Sequence, residues 1–180
     1  MLTRDEAEAT LARFPLGGLV AGTVVAVPVR ARVGVFVDLG QGGRGFVGAE
    51  HLPDDPLRWP RIGTRTTFEI LRHDFSSHRR ACQVLLWPME PRFRGAGSRA
   101  GTFTAEEWHR VSSRYPIGTV VTATVTRVFP DSRSYWIRFG PARAMVATAA
   151  ELPQVGTVHR YVVVGTLETT RRLVVTPTEA

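Results

Sequence analysis

The sequence predicts a mainly β protein of two tandem small barrels, each preceded by a short N-terminal helix. Three observations carry this reading. The chain repeats itself: Leu2-Thr3-Arg4-Asp5-Glu6 is echoed by Phe103-Thr104-Ala105-Glu106-Glu107, and Arg13-Phe14-Pro15-Leu16-Gly17 by Arg114-Tyr115-Pro116-Ile117-Gly118. Val20, Gly22, Val24 and Val27 meet Val121, Ala123, Val125 and Val128; further on, Gly40 meets Gly140, Gly63 meets Gly156, and Arg79-Arg80 meets Arg171-Arg172. A repeat this long is no solenoid or propeller unit and reads as a duplicated small domain. Each copy is rich in valine-bearing runs of strand length. Glycine and proline punctuate those runs.

Each copy opens with a helix. Thr3 followed by Glu6, and Thr104 followed by Glu107, form capping boxes, and Phe103 with Trp108 fits a hydrophobic staple. Pro15 and Pro116 stop the helices at matching places. Strands are expected over 19–29, 33–39, 66–72 and 80–86, with another opening at Gly45-Phe46-Val47, and in the second copy over 119–129, 134–139, 157–164 and 171–176. A proline-rich segment with Pro53, Pro56, Trp59 and Pro60 lies between Leu52 and Gly63. Its counterpart is only Pro153, Gln154 and Val155 between Leu152 and Gly156, so the second copy has lost a turn of structure there. Domains are placed at 1–86 and 103–180, joined by a basic Pro/Gly linker over 87–102 that contains Arg92, Arg94 and Arg99.

Composition narrows the partner. The net charge is +7 and the isoelectric point about 11.0, and every basic residue except histidine is arginine. Such a chain favours a polyanion such as RNA or DNA, or an acidic protein. Cys82 stands alone, so neither an internal disulfide nor a cysteine metal cluster is available, and a small buried filler is its expected role. The lone cysteine is compatible with a reducing cytoplasm. The acidic start (Asp5, Glu6, Glu8) does not read as a signal peptide, and no apolar run is long enough to span a membrane. His51, His73, His78, His109 and His159 are scattered without metal-ligand spacing, and there is no glycine-rich phosphate loop. The expectation is a protein with no catalytic residues, no metal and no cofactor.

Gly34-Val35-Phe36-Val37-Asp38-Leu39-Gly40 is the most specific local signal. Val35, Val37 and Leu39 alternate with Phe36 and Asp38, so one face is aliphatic and the other presents an aromatic. Residues 16–85 resemble the RNA-binding repeat named after ribosomal protein S-one. The resemblance rests on Gly17, Val20, Gly22 and Val24, on Gly34 to Gly40, on Gly45, Val47 and Leu52, and on Gly63, Asp74 and Arg79 or Arg80. It implies a five-stranded OB-fold barrel in each copy, the second copy degenerate and similar only by way of the first. Val33 stands where that family has an aromatic, Gly48 where it has histidine and Glu50 where it has serine. In the second copy Ser134, Trp136, Arg138 and Thr166 replace Gly34, Phe36, Asp38 and Asp74.

The resemblance implies a cytoplasmic, sequence-tolerant protein for single-stranded RNA, acting near translation or RNA turnover, with the ribosome or another protein as a further possible partner. Such binding stacks unpaired bases on exposed aromatics and runs phosphates past arginines. In the first copy the candidates are Phe36 with Arg30, Arg32, Arg44, His73, Arg79 and Arg80, against which Asp38 opposes phosphate. In the second they are Trp136 and Arg138, two apart on one strand, with Arg127, Arg133, Arg143, Arg171 and Arg172. For Trp136, packing between the two barrels stands beside nucleic-acid contact as an equal reading. A protein-binding adaptor or inhibitor on a degenerate OB-fold is the alternative, favoured by Val33, Gly48 and Asp38.

Overall fold

The computed structural model describes residues 3–75, 82–95 and 103–178. The chain divides into two compact units, Met1–Ala100 and Gly101–Ala180.

In the first unit, helix α1 (Arg4–Arg13) begins at a reciprocal capping box. The Thr3 hydroxyl accepts from the Glu6 amide at 3.2 Å, and the Glu6 carboxylate accepts from the Thr3 amide at 2.7 Å. Five strands follow: β1 (Leu19–Ala26), β2 (Gly34–Asp38), β3 (Arg44–Gly48), β4 (Arg65–Asp74) and β5 (Gln83–Pro88). They close into a barrel in the order β1-β2-β3-β5-β4, with β3 and β5 parallel and the other described pairs antiparallel, an OB-like arrangement. Alternation sends Val24, Val35, Val37, Val47, Phe68, Ile70, Val84 and Leu86 inward, where all are buried. Gly34 admits the close approach of β2 to β3. Its φ is 140°, and a Cβ there would lie 2.0 Å from the Val47 carbonyl oxygen. Irregularities at Val24/Ala26 and Ile70/Arg72 accompany the curvature of β1 and β4.

One end of this barrel is plugged. Between β3 and β4, two single 3-10 turns (Ala49–His51 and Pro56–Arg58) bring Leu52 and Trp59 into the core, and the Trp59 indole donates to the Pro53 carbonyl at 2.6 Å. The segment expected to be a linker is in part structure. Trp87 and Phe93 are buried, a 3-10 turn spans Pro91–Phe93, and the Gly95 amide donates to the His51 carbonyl. Apolar rings that can be buried outweigh the Pro/Gly composition there. Arg94 donates to the Pro88 carbonyl at 2.8 Å and Arg92 pairs with Glu90, while Arg99 lies outside the described residues.

The second unit has the same element order. Helix α2 (Ala105–Arg114) is capped by Thr104 and Glu107, with the Phe103 and Trp108 rings 6.2 Å apart as the staple requires. The Trp108 indole donates to Glu168 at 2.7 Å. Strands β6 (Val120–Phe129), β7 (Ser134–Phe139), β8 (Ala142–Ala147), β9 (Val158–Leu167) and β10 (Arg172–Pro177) form a five-stranded sheet in the order β10-β9-β6-β7-β8. β8 and β10 run close to each other without a hydrogen-bonded ladder, so the expected closure of this barrel is not made. The interiors differ at matched positions. Tyr135, Phe139 and Tyr161 take positions along β7 and β9 that Val35, Leu39 and Phe68 take in the first unit, whereas Val163 and Val175 stand where the first has Ile70 and Leu86.

Among the described residues, no helix is long and apolar enough to cross a membrane. No group of three or more His, Cys, Asp or Glu among them is placed to hold a metal ion.

Candidate nucleic-acid interface

In the first unit the outward row across the barrel reads Ala26, Phe36, Phe46, Leu85 and Arg72, aligned strand to strand. Phe36 and Phe46 are both half-buried, with ring centroids 5.0 Å apart and planes tilted by 46°. They offer an apolar platform on which flat rings can lie. Phe46 was legible in the sequence: Gly45 and Val47 claim the inward side, which leaves Phe46 on the face of Phe36.

The charges around this platform oppose one another. Asp38 faces Arg44 across β2 and β3, and its Oδ1 accepts from the Gly40 amide at 2.9 Å. Glu50 folds back over Gly48, where a Cβ would lie 2.2 Å from its Oε2. A carboxylate therefore occupies the space above a glycine that stands where the S-one repeat carries histidine. The five strands bear Arg44, Arg65 and Arg72 against Asp38, Glu69 and Asp74. Arg30 and Arg32 are exposed in the turn before Gly34, Arg32 with φ 49°. His73 is a correction. It is 1% exposed, and its Nε2 lies 2.8 Å from the Phe14 carbonyl oxygen, so it packs between helix and barrel rather than on the surface. Burial lowers its pKa to about 4 and keeps the ring neutral. Arg79 and Arg80 lie outside the described residues.

In the second unit Trp136 is half-buried on β7, opposite Arg127 on β6 and Met145 on β8. The Arg143 guanidinium lies 5.4 Å from the Trp136 ring centroid, within cation–π range. Arg138 is exposed directly opposite Arg143, and the Arg127 guanidinium sits 4.8 Å from the Phe129 ring. Thus Arg143 lies against the indole, and Arg127 and Arg138 stand at neighbouring register positions. Arg160, on β9 opposite Thr122, extends the same outer face. The five strands of this unit carry Arg127, Arg138, Arg143, Arg160 and Arg172 and not one carboxylate. That charge pattern, readable from the strands alone, would have found Arg160.

Two other arginines also bind backbone. Arg133 adopts φ 44°, and its guanidinium donates to the carbonyls of Thr148, Ala149 and Ala150, tying the β6–β7 turn to the end of β8. Arg171, with φ 49°, donates to the Phe103 carbonyl at 3.1 Å and anchors the entry to α2. Both hold backbone oxygens, which fixes where their guanidinium groups sit. Arg172 is half-buried, with its Nε 3.4 Å from the Thr170 hydroxyl. Cys82 is partly buried, which pushes its thiol up to about 12 and leaves it unreactive at neutral pH.

The fold and face define a β-barrel protein with an aromatic and arginine-lined outer sheet. The chain matches no family model and no curated protein. Among solved structures it is similar to a multidomain protein with nucleic acid binding domains from Streptococcus pneumoniae, at 17% identity and a TM-score of 0.31. That alignment covers 89% of this chain and 51% of the other, so this chain spans about half of its length.

Proposed function

We propose that the protein binds single-stranded nucleic acid without catalysis, RNA foremost, through the outer sheet faces of two OB-fold units descended from one duplicated S-one-like domain. The observation that carries this reading is the second unit's face, where Trp136 lies among Arg127, Arg138 and Arg143 on strands free of carboxylates. A base stacked on Trp136 contributes about 1–3 kcal/mol with little sequence preference. Arginines running past phosphates add a salt-dependent term, because binding releases condensed counterions. The Phe36–Phe46 platform supplies a second stacking site with weaker electrostatics.

Fluorescence anisotropy of the full chain with labelled oligo(U), oligo(dT) and a blunt RNA duplex tests the proposal. Binding is expected for both single strands, stronger for RNA, and weak for the duplex. Replacing Phe36 and Trp136 together by Ala should lower oligo(U) affinity at least about tenfold. Absence of binding at low salt, or an affinity untouched by the double replacement, refutes it. Nuclease-resistant capture of a protein partner would then move the reading to the adaptor alternative.

A further inference from the structure

The second unit is open where the first is plugged. In the first, the chain between β3 and β4 carries Leu52 and Trp59 into the barrel end. In the second, the shortened connection from β8 to β9 brings in no aromatic, and a pocket of about 430 Å³ lies at that end. Its floor is Tyr135 and Tyr161, its apolar walls include Pro153 and Pro177, and Thr148 and the exposed Glu151, His159 and Arg160 stand at its rim. The two phenol oxygens are 3.5 Å apart, the outer limit of a hydrogen bond. A phenol has one donor and two acceptor positions; Tyr161 donates to Tyr135, so the Tyr135 hydroxyl keeps its own proton for a ligand. Burial raises both above the ordinary phenol range, so they stay protonated as donors at neutral pH. An apolar cavity of this size with a few convergent polar groups, in the mouth of a barrel, has the character of a small-molecule site.

We propose that this pocket takes one keto-bearing nucleobase, uracil or guanine. The flat ring enters between the prolines with its keto edge toward the tyrosine floor. A phenol hydroxyl donates to the keto oxygen, and the adjacent ring N–H donates to the Glu151 carboxylate. Cytosine and adenine reverse that edge, placing an amine against a donor and a bare ring nitrogen against a carboxylate. The base can arrive on a free nucleotide or on a bound strand; Arg160 borders both this pocket and the outer face, whereas Arg138 and Arg143 belong to the outer face alone.

Titration of the full chain with UMP, GMP, CMP and AMP, followed by backbone amide NMR, tests this. UMP and GMP should shift the amides of Thr148, Glu151, Tyr161 and Thr178 and bind about tenfold more tightly than CMP and AMP, the worth of one well-made hydrogen bond. Ala150→Trp, an exposed position on the rim, should abolish the shifts, and Glu151→Gln should reduce the preference for keto bases while leaving the fold intact. If Ala150→Trp also weakens oligo(U) binding, the base belongs to a strand; if it does not, a free nucleotide is the ligand. Arg138→Ala with Arg143→Ala should weaken oligo(U) binding and spare the UMP shifts, which separates this site from the outer face. No shift with any of the nucleotides, or equal binding of all of them, overturns the proposal.

Discussion

Val35, Leu39 and Phe68 line the first barrel where Tyr135, Phe139 and Tyr161 line the second sheet. The first set lies in a closed ladder, and the longer β3–β4 connection adds Trp59 to its core. The larger set accompanies a seam between β8 and β10 and an open end. Outside, the contrast runs in another direction. The first unit places Asp38 and Glu50 beside its aromatic pair, whereas the second sets Arg143 against Trp136 with Arg127 and Arg138 at neighbouring register positions. The unit closest to the S-one motif therefore offers phosphate the less favourable surface. Glycine and valine spacing builds a barrel; charge on the outward positions decides what it attracts.

Changes confined to one unit can break this contrast. Trp59→Ala removes this core ring and should destabilise the first unit by about 3–5 kcal/mol, the usual cost of emptying a buried tryptophan site. Thermal unfolding followed by amide resonances should show first-unit signals melting earlier and second-unit signals unmoved. A common shift of both would show that the units do not unfold independently.

Removing the arginine cluster comes next in size. Arg127→Ala, Arg138→Ala and Arg143→Ala together should lower oligo(U) affinity about 100-fold near 50 mM salt and reduce the slope of log K against log salt by about 2. Arg44→Ala with Arg72→Ala in the first unit should cost far less. Equal losses from the two sets would erase the asymmetry claimed between the faces.

Acid should act on the first unit alone through its buried histidine. His73 has its folded pKa lowered to about 4 from an ordinary 6.5, so the unfolded chain takes up a proton that the folded one refuses. Stability from this group is full above about 6.5 and falls as pH drops towards 4, by about 2 kcal/mol at pH 5. The second unit has no buried histidine among its described residues. Denaturation midpoints at pH 7 and pH 5, with His73→Gln as the control, measure the difference; an unchanged pH dependence in that variant rules His73 out as its source.

The smallest expected effect is a gain. Glu50→Gln should raise oligo(U) affinity by about two- to threefold at low salt, because one exposed carboxylate leaves the first face. An unchanged or weaker affinity would show that nucleic acid does not pass Gly48.

Much of the barrel architecture was readable from local chemistry. The capping boxes at Thr3 and Thr104 formed as their spacing requires. The alternation in Gly34 to Asp38 put Val35 and Val37 inside and left Phe36 half-exposed. What escaped reading was mostly tertiary. Whether β8 pairs with β10 depends on packing across several strands, which no local pattern reports. Arg133 and Arg171 looked like surface cations, yet each adopts a left-handed backbone in a turn that aims its guanidinium at carbonyls. His73 follows the irregularity at Ile70/Arg72, which shifts the inward side of β4 and brings the ring to the Phe14 carbonyl. Trp87 and Phe93 drew a proline- and glycine-rich stretch onto the first unit.

Photo-crosslinking of the full chain to a 4-thiouridine oligomer, with peptide mapping by mass spectrometry, tests the central claim most directly. Crosslinks should concentrate on Trp136 and Met145, with a lesser set on Phe36 and Phe46, and should fade in step with rising salt. Crosslinks confined to the helices α1 and α2, or stronger on the first unit than on the second, would contradict it.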